Sequence, residues 1–201
     1  MTAYSTDTID DLVSTHCAAI RIRLSEPLPR NASNTSHEYA HIRCRELWNC
    51  LESTRSLHGI FRKISVGSIT RLTIVSILHL ACATVEALKL LFVEDPSWNL
   101  ISARSAYNLP EVFQHLRSLF EAASNEGSPR SKLILKGRPL FLEYAAACRA
   151  MEAWYMMKLN ESDLQPHPEL KSPQHLENLE GIDFWDGLLD LDLDPGCFPP
   201  L

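Results

Sequence analysis

The segment 71–93 constrains the fold most, because a helix formed by it would be apolar on nearly every side. Its apolar residues follow helical spacing on one face and cover much of the other: Ile74, Ile77, Leu78, Ala81, Val85, Leu88 and Phe92, with Leu80, Ala87 and Leu91 opposite. Such a helix lies at the centre of a bundle or spans a membrane. His79, Glu86 and Lys89 favour the bundle, since a charge near the bilayer centre costs about 2.5–3.5 kcal/mol. We therefore expect a helical domain and no membrane contact.

Two further helices are indicated before this segment. Residues 7–25 begin with acidic side chains, which suit a helix N-terminus, and end before Pro27. Their apolar positions recur near a 3.6-residue period: Ile9, Leu12, Val13, Cys17, Ile20 and Leu24. Residues 37–64 carry a second apolar stripe, which consists of Ile42, Leu47, Trp48, Leu51, Leu57, Ile60 and Phe61.

Two more helices are indicated after it. Asn108, followed by Pro110 and by Glu111 three residues on, has the pattern of a helix start, and this helix is expected to run to about Ala123. A long helix is expected from Arg138-Pro139 to about Leu159. The segment between the break at 95–97 and Tyr107 has no clear assignment.

Glycine is scarce, with 7 residues in 201, which is low for a sandwich, a barrel or a phosphate-cradling enzyme. Long stretches are instead rich in strong helix formers. We predict an all-α fold, an irregular bundle of five or six helices over residues 1–160. Residues 161–201 are expected to form a separate, largely extended tail, since they hold half of the 12 prolines.

The charge is distributed unevenly between these two parts. Residues 161–201 hold ten acids and one base, whereas residues 1–160 hold 18 bases and 15 acids. Within the tail, residues 181–194 alternate acids with large apolar side chains, a composition typical of activation segments. If the segment becomes helical on a partner, Phe184, Leu188 and Leu191 share one stripe. The predicted partner-binding residues are Phe184, Trp185, Leu188, Leu189, Leu191 and Leu193. The alternative is a terminal element that docks on the helical domain.

The cysteine pattern gives no zinc-knuckle or redox-motif spacing. None of Cys17, Cys44, Cys50, Cys82, Cys148 and Cys197 forms a C-x-x-C pair. Most lie in apolar helical runs and are expected to be small buried hydrophobic residues. The N-terminus does not resemble a signal peptide, so a reducing compartment is the simpler expectation.

The segment His37-Glu38-Tyr39-Ala40-His41 matches the H-E-x-x-H pattern of zinc hydrolases. On a helix, His37 and His41 share a face and could bind zinc, with Glu38 as general base. The surroundings argue against this interpretation, because a polar loop precedes the motif and no third ligand follows at metzincin spacing, where Leu47 stands. No phosphate-binding loop, nucleophile elbow or basic stripe is present in the sequence. We expect no enzyme activity, no cofactor and no direct nucleic-acid contact.

Parts of the sequence resemble the regulatory region of fungal zinc-cluster (Zn2Cys6) transcription factors. The resemblance rests on Arg45-Glu46-Leu47-Trp48-Asn49-Cys50-Leu51-Glu52-Ser53-Thr54 followed by Phe61, and on the run from Arg71 through Leu78-His79-Leu80-Ala81-Cys82 to Glu94-Asp95-Pro96-Ser97-Trp98-Asn99-Leu100. The acidic Asp183-Phe184-Trp185-Asp186 also suits that family. The cysteine cluster that binds DNA in the family is missing, so the chain looks like the C-terminal half of such a regulator.

The resemblance implies a helical regulatory domain that holds the protein in an off or on state. It also implies a tail that recruits transcription machinery or co-regulator proteins, in the nucleus with some cytoplasmic protein. A homodimer is compatible with this interpretation. A second hypothesis is a stand-alone helical adaptor, or a competitor that pairs with related regulators. A zinc hydrolase built on His37, Glu38 and His41 is the third.

Overall fold

The fold is that of a computed structural model, which describes residues 6–25, 37–135 and 137–164. Seven α-helices lie in this part of the chain: α1 (Thr6–Ser25), α2 (His37–Phe61), α3 (Val66–Ile69), α4 (Ile74–Leu90), α5 (Leu100–Ala106), α6 (Leu109–Ser124) and α7 (Leu140–Leu164). Between α6 and α7 lie a short 3-10 turn (Arg130–Lys132) and the antiparallel strands β1 (Ile134–Leu135) and β2 (Arg138–Pro139). The predicted all-α class is confirmed.

Side-chain caps explain where several helices begin. The Asn108 side chain accepts a hydrogen bond from the backbone N–H of Glu111 at 3.4 Å, and Pro110 lies in the first turn, so the predicted start of α6 is confirmed. Thr73 caps α4 in the same way through the N–H of Ser76 at 3.2 Å. Asn99 accepts from the N–H of Ser102 at 2.9 Å and begins α5, in the segment that the sequence left unassigned.

The helices pack as two groups around one continuous core. In the first group α1 packs against α2, and both contact α4. In the second group α6 packs along α7, and α3 contacts α6. Large side chains from both groups are fully enclosed in the core, among them Phe61, Leu88 and Phe113.

The most apolar helix is part of this bundle, and it buries one broad half of its surface. Nine of its 17 residues are buried, and α1 and α2 pack against it. Its other half is only partly covered, because Val75 is 43% exposed and Cys82 is exposed as well. None of the helices within 6–25, 37–135 and 137–164 is long and apolar enough to cross a bilayer.

The predicted orientation of α1 is wrong. Of the apolar residues expected to form its packed stripe, Val13, Ile20 and Leu24 are 55%, 57% and 82% exposed. The buried side of α1 carries Thr15, Ala18 and Ile22 instead. Packing against α2 and α4 buries these positions, where the small Thr15 and Ala18 let the helices approach, and it leaves the face with Val13, Ile20 and Leu24 outward.

The expectation for the cysteines is correct for two of the five that the structure describes. Cys50 and Cys148 are buried, whereas Cys17 and Cys82 are exposed and Cys44 is half-buried. Cys17 is exposed for the same reason as Val13 and Ile20, because it lies on the outward side of α1.

Candidate functional site: polar clusters of the core and the outer surface of α1

A chain of hydrogen bonds around His58 crosses the centre of the bundle. His58 in α2 is enclosed, with its Nδ1 against the hydroxyl of Tyr107 and its Nε2 3.0 Å from Oγ1 of Thr84 in α4. The Thr84 hydroxyl donates to the carbonyl of Leu80 at 2.8 Å. It therefore accepts from His58 Nε2–H, and Nδ1 accepts from Tyr107. Each polar hydrogen of the three side chains thus has one acceptor.

Burial fixes the charge of this cluster. Desolvation lowers the pKa of His58 from 6.5 to about 3, so its ring is neutral at physiological pH. Desolvation also raises the pKa of Tyr107, although the charge of Arg55 acts in the opposite direction. A neutral, enclosed imidazole with both nitrogens hydrogen-bonded joins α2, α4 and the turn before α6. It does not meet a substrate from solvent.

A second polar cluster lies at the Asp95-Pro96-Ser97-Trp98 break. Asp95 accepts from the backbone N–H of Ser97 at 2.9 Å and from its hydroxyl at 2.5 Å. The guanidinium of Arg43 in α2 is 3.4 Å from the same carboxylate, and the two side chains are 11% and 7% exposed. Burial alone would raise the pKa of Asp95, but the hydrogen bonds from Ser97 and Arg43 outweigh it and lower the pKa.

Trp98 anchors this break to the end of α4. Its indole N–H donates to the carbonyl of Leu90 at 2.8 Å, and its ring lies 4.9 Å from that of Trp48 in α2. The break therefore fixes the angle between α4 and α5, with hydrogen bonds and ring packing both contributing.

A histidine pair lies between α1 and α4. The rings of His16 and His79 are 4.8 Å apart and nearly perpendicular. Desolvation, His16 and Arg23 all lower the pKa of His79. Among the residues that the structure describes, nothing hydrogen-bonds to its buried Nδ1.

The outer surface of α1 carries a regular row of apolar side chains that face solvent. Val13, Cys17, Ile20 and Leu24 follow one another at spacings of 4, 3 and 4 residues, so they lie on one side of the helix. All four are exposed. We name them the outer stripe.

The site residues predicted from the tail lie outside the described part of the chain. These are Phe184, Trp185, Leu188, Leu189, Leu191 and Leu193. Their assignment as a partner-binding segment stays a prediction.

The H-E-x-x-H segment lies at the start of α2. His37 is the first residue of the helix and Glu38 the second, but their side chains lie outside the description. His41 is exposed. Among the described side chains, no three or more of His, Cys, Asp and Glu come together as a metal site.

Comparison with known proteins finds no relative for the chain: no family model matches it, and no curated protein or solved structure is significantly similar to it. The likeness to zinc-cluster regulators therefore stays a prediction from the residues.

Sequence reasoning missed the His58 cluster. His58, Thr84 and Tyr107 are 26 and 23 residues apart in sequence order, and no motif links the three. A lone polar residue on the buried face of a predicted helix, as His58 is between Leu57 and Phe61, is the one available signal. It indicates that a partner is required but does not identify the partner.

Proposed function

We propose that the chain is the regulatory and activation part of a transcription factor of the fungal zinc-cluster type, acting in the nucleus through protein contacts. The helical domain carries the regulatory part, and the acidic tail recruits transcription machinery or a co-regulator. The observation that carries the proposal is the composition of residues 181–194, in which five aspartates alternate with an isoleucine, Phe184, Trp185 and four leucines.

This composition favours binding to a partner protein over folding of the segment into a core of its own. Neighbouring carboxylates repel one another and oppose collapse of the apolar side chains into a core of their own. The apolar side chains then stay available for a groove on another protein, where Phe184 and Trp185 could each bury enough surface for about 1.5–3 kcal/mol. Gly187 weakens a free helix by about 1 kcal/mol relative to alanine, which suits a segment that folds only on contact.

The helical domain supports the proposal through the way its polar groups are used. The polar cluster around His58 is buried, the one around Asp95 is partly buried, and both are hydrogen-bonded within the domain. Groups committed in this way hold helices together and are not open to a substrate. A regulatory domain needs such a defined arrangement of helices, because it has to present the tail and its own surface consistently.

The proposal is tested by tethering. Residues 176–201, fused to an unrelated DNA-binding domain in yeast, are expected to activate a reporter gene. Phe184→Ala with Trp185→Ala should remove most of the activity, because both large apolar groups are lost. Asp192→Asn is the matched control and should have little effect, since one exposed carboxylate contributes at most about 1 kcal/mol. An inert segment, or one that tolerates the double alanine change, would refute the activation function.

A stand-alone helical adaptor is the second candidate, and the outer stripe of α1 favours it. Exposed apolar surface of this kind often marks a protein contact. In an adaptor the tail would be dispensable for partner binding, whereas in the activation proposal it is the part that recruits. Pull-down with related regulators from the same cell, using the full chain and a chain that ends at Leu164, separates the two. Binding that persists without the tail favours the adaptor.

A further inference from the structure

The outer stripe of α1 is a surface that the fold leaves uncovered. Val13, Ile20 and Leu24 are 55%, 57% and 82% exposed, and Cys17 between them is exposed too. The stripe lies directly opposite the buried side of the helix, so α2 and α4 cannot cover it. From Val13 to Leu24 it is about 16 Å long, at 1.5 Å for each residue. Scattered exposed apolar residues are common, but a continuous row of this length is a candidate contact surface.

Basic side chains flank the C-terminal half of the stripe. At 100° for each residue, Arg21 lies on one side of the row and Arg23 on the other, and both side chains are exposed. His16 adjoins the row on the Arg23 side, where it packs against His79. An apolar row between basic side chains is complementary to a segment that combines apolar groups with acids.

We propose that the outer stripe binds residues 181–194 of its own chain. That segment contains five aspartates and no base, and its Phe184, Leu188 and Leu191 have the spacing i, i+4, i+7. The stripe has the spacing i, i+4, i+7, i+11. Two rows with the same repeat can interdigitate along a helix pair, with the aspartates beside Arg21 and Arg23.

The chain between the end of α7 and residues 181–194 is long enough for this segment to reach the outer stripe. Phe184 lies twenty residues after Leu164, where α7 ends. Fully extended, this stretch spans about 65–70 Å, and as a flexible chain about 25 Å on average. A domain of the size described has a radius of gyration of about 15 Å, so the segment can reach any side of it. Tethering also gives an effective concentration near the millimolar range, so a weak contact suffices.

A second copy of α1 that pairs in parallel fits the stripe less well. In a parallel pair, Arg21 and Arg23 of the two copies would lie near one another, and like charges oppose such pairing. Residues 181–194 bring only negative charge to the same positions. The acidic segment of the same chain is therefore a better occupant than a parallel copy, and the dependence of Cys17 protection on protein concentration separates it from an antiparallel one.

The consequence for regulation rests on the proposed function. If residues 181–194 recruit a partner, docking on the outer stripe withholds Phe184, Trp185 and the leucines from it. A signal that releases the segment would then turn recruitment on. The contact itself does not depend on what the segment recruits, and so the test measures docking without transcription.

Cys17 is a built-in probe of the stripe. The full-length protein is alkylated with N-ethylmaleimide, and the rate at each cysteine is followed by peptide mass spectrometry. If the segment docks, Cys17 in the native protein should be alkylated about ten-fold more slowly than Cys17 in the double variant Trp185→Asp with Leu188→Asp. This ratio follows from an effective concentration of about 1 mM and a dissociation constant of about 0.1 mM for the contact. Cys82, exposed on α4, should react equally in both proteins. Ile101→Asp changes an apolar residue that is 79% exposed elsewhere, and Cys17 should stay protected in it.

Equal rates of Cys17 alkylation in the native protein and in the variant Trp185→Asp with Leu188→Asp would overturn the proposal. So would protection that grows with protein concentration between about 1 and 100 µM together with a doubled mass in light scattering, because intramolecular docking is independent of concentration. A protected Cys17 combined with an inert tethered tail would keep the docking and refute the activation function. An unprotected Cys17 combined with an active tethered tail would refute the docking and keep the activation function.

Discussion

Acid should destabilise the helical domain through one buried histidine, His58. Its pKa is about 3 in the fold and 6.5 when unfolded, so the unfolded chain takes up a proton first as the pH falls. The stability that depends on neutral His58 is therefore fully present above pH 6.5 and is lost progressively towards pH 3. Each pH unit in that window costs about 1.4 kcal/mol.

The magnitude follows from these two pKa values. Between about pH 7.5 and about pH 5 the uptake of one proton by the unfolded chain removes about 2 kcal/mol of unfolding free energy. This window lies above the range in which carboxylates such as Asp95 titrate, because hydrogen bonds keep the pKa of Asp95 low. His79, whose pKa is also lowered, adds to the slope, but it does so equally in variants of His58.

The assay is urea unfolding, followed by far-UV circular dichroism at a series of pH values, for the native protein and for His58→Gln. The variant should be less stable than the native protein near pH 7.5, because it breaks the hydrogen-bond chain, at a cost of about 1–3 kcal/mol. The difference should shrink by about 2 kcal/mol by pH 5, since glutamine does not titrate.

Tyr107→Phe is the control that separates the two effects. It removes one hydrogen bond but keeps the buried imidazole, so it should lower stability at every pH and retain the native slope. If His58→Gln and the native protein instead give parallel profiles, His58 does not carry the acid sensitivity and the reasoning from burial is wrong.

Three further outcomes are expected. Leu88→Ala should cost about 2–5 kcal/mol in urea unfolding, because Leu88 is 1% exposed, whereas Ile101→Ala at a 79% exposed position should stay within about 0.5 kcal/mol. Asp95→Asn should lower the free energy of unfolding by about 1–3 kcal/mol, because it removes the charge beside Arg43 and weakens the hydrogen bonds from Ser97. A loss under about 0.5 kcal/mol would show that these contacts do not hold the break at Asp95-Pro96-Ser97-Trp98. Elemental analysis of the purified protein should find well under about one zinc for each chain, and a full equivalent that disappears in His41→Ala would restore the zinc hydrolase.

The helical class could be predicted from the sequence because it depends on local signals. Asn108 with Glu111 marks the start of α6, and the apolar segment 71–93 contains α4. Both signals act within a few residues and do not depend on the rest of the fold. The short α5 was missed, since seven residues give too little periodicity and its cap, Asn99, follows directly on a turn.

The orientation of α1 could not be predicted because it depends on its neighbours. The α1 helix has two faces, one with several large apolar residues such as Leu24 and one with Thr15, Ala18 and a single large apolar residue, Ile22. Hydrophobicity alone favours burial of the first face, but packing against α2 and α4 buries the second face. The same dependence on distant partners hid the His58 cluster, which needs α2, α4 and Tyr107 to be brought together.

The central claim is that recruitment resides in the tail and not in the helices, and truncation tests it most directly. The full chain and a chain that ends at Leu164, the last residue of α7, are each fused to the same DNA-binding domain and compared on one reporter at equal protein levels. The full chain should activate, more strongly with Ile20→Asp on the outer stripe, and the truncated chain should be inactive. Equal activation by the full and the truncated chain would contradict the account.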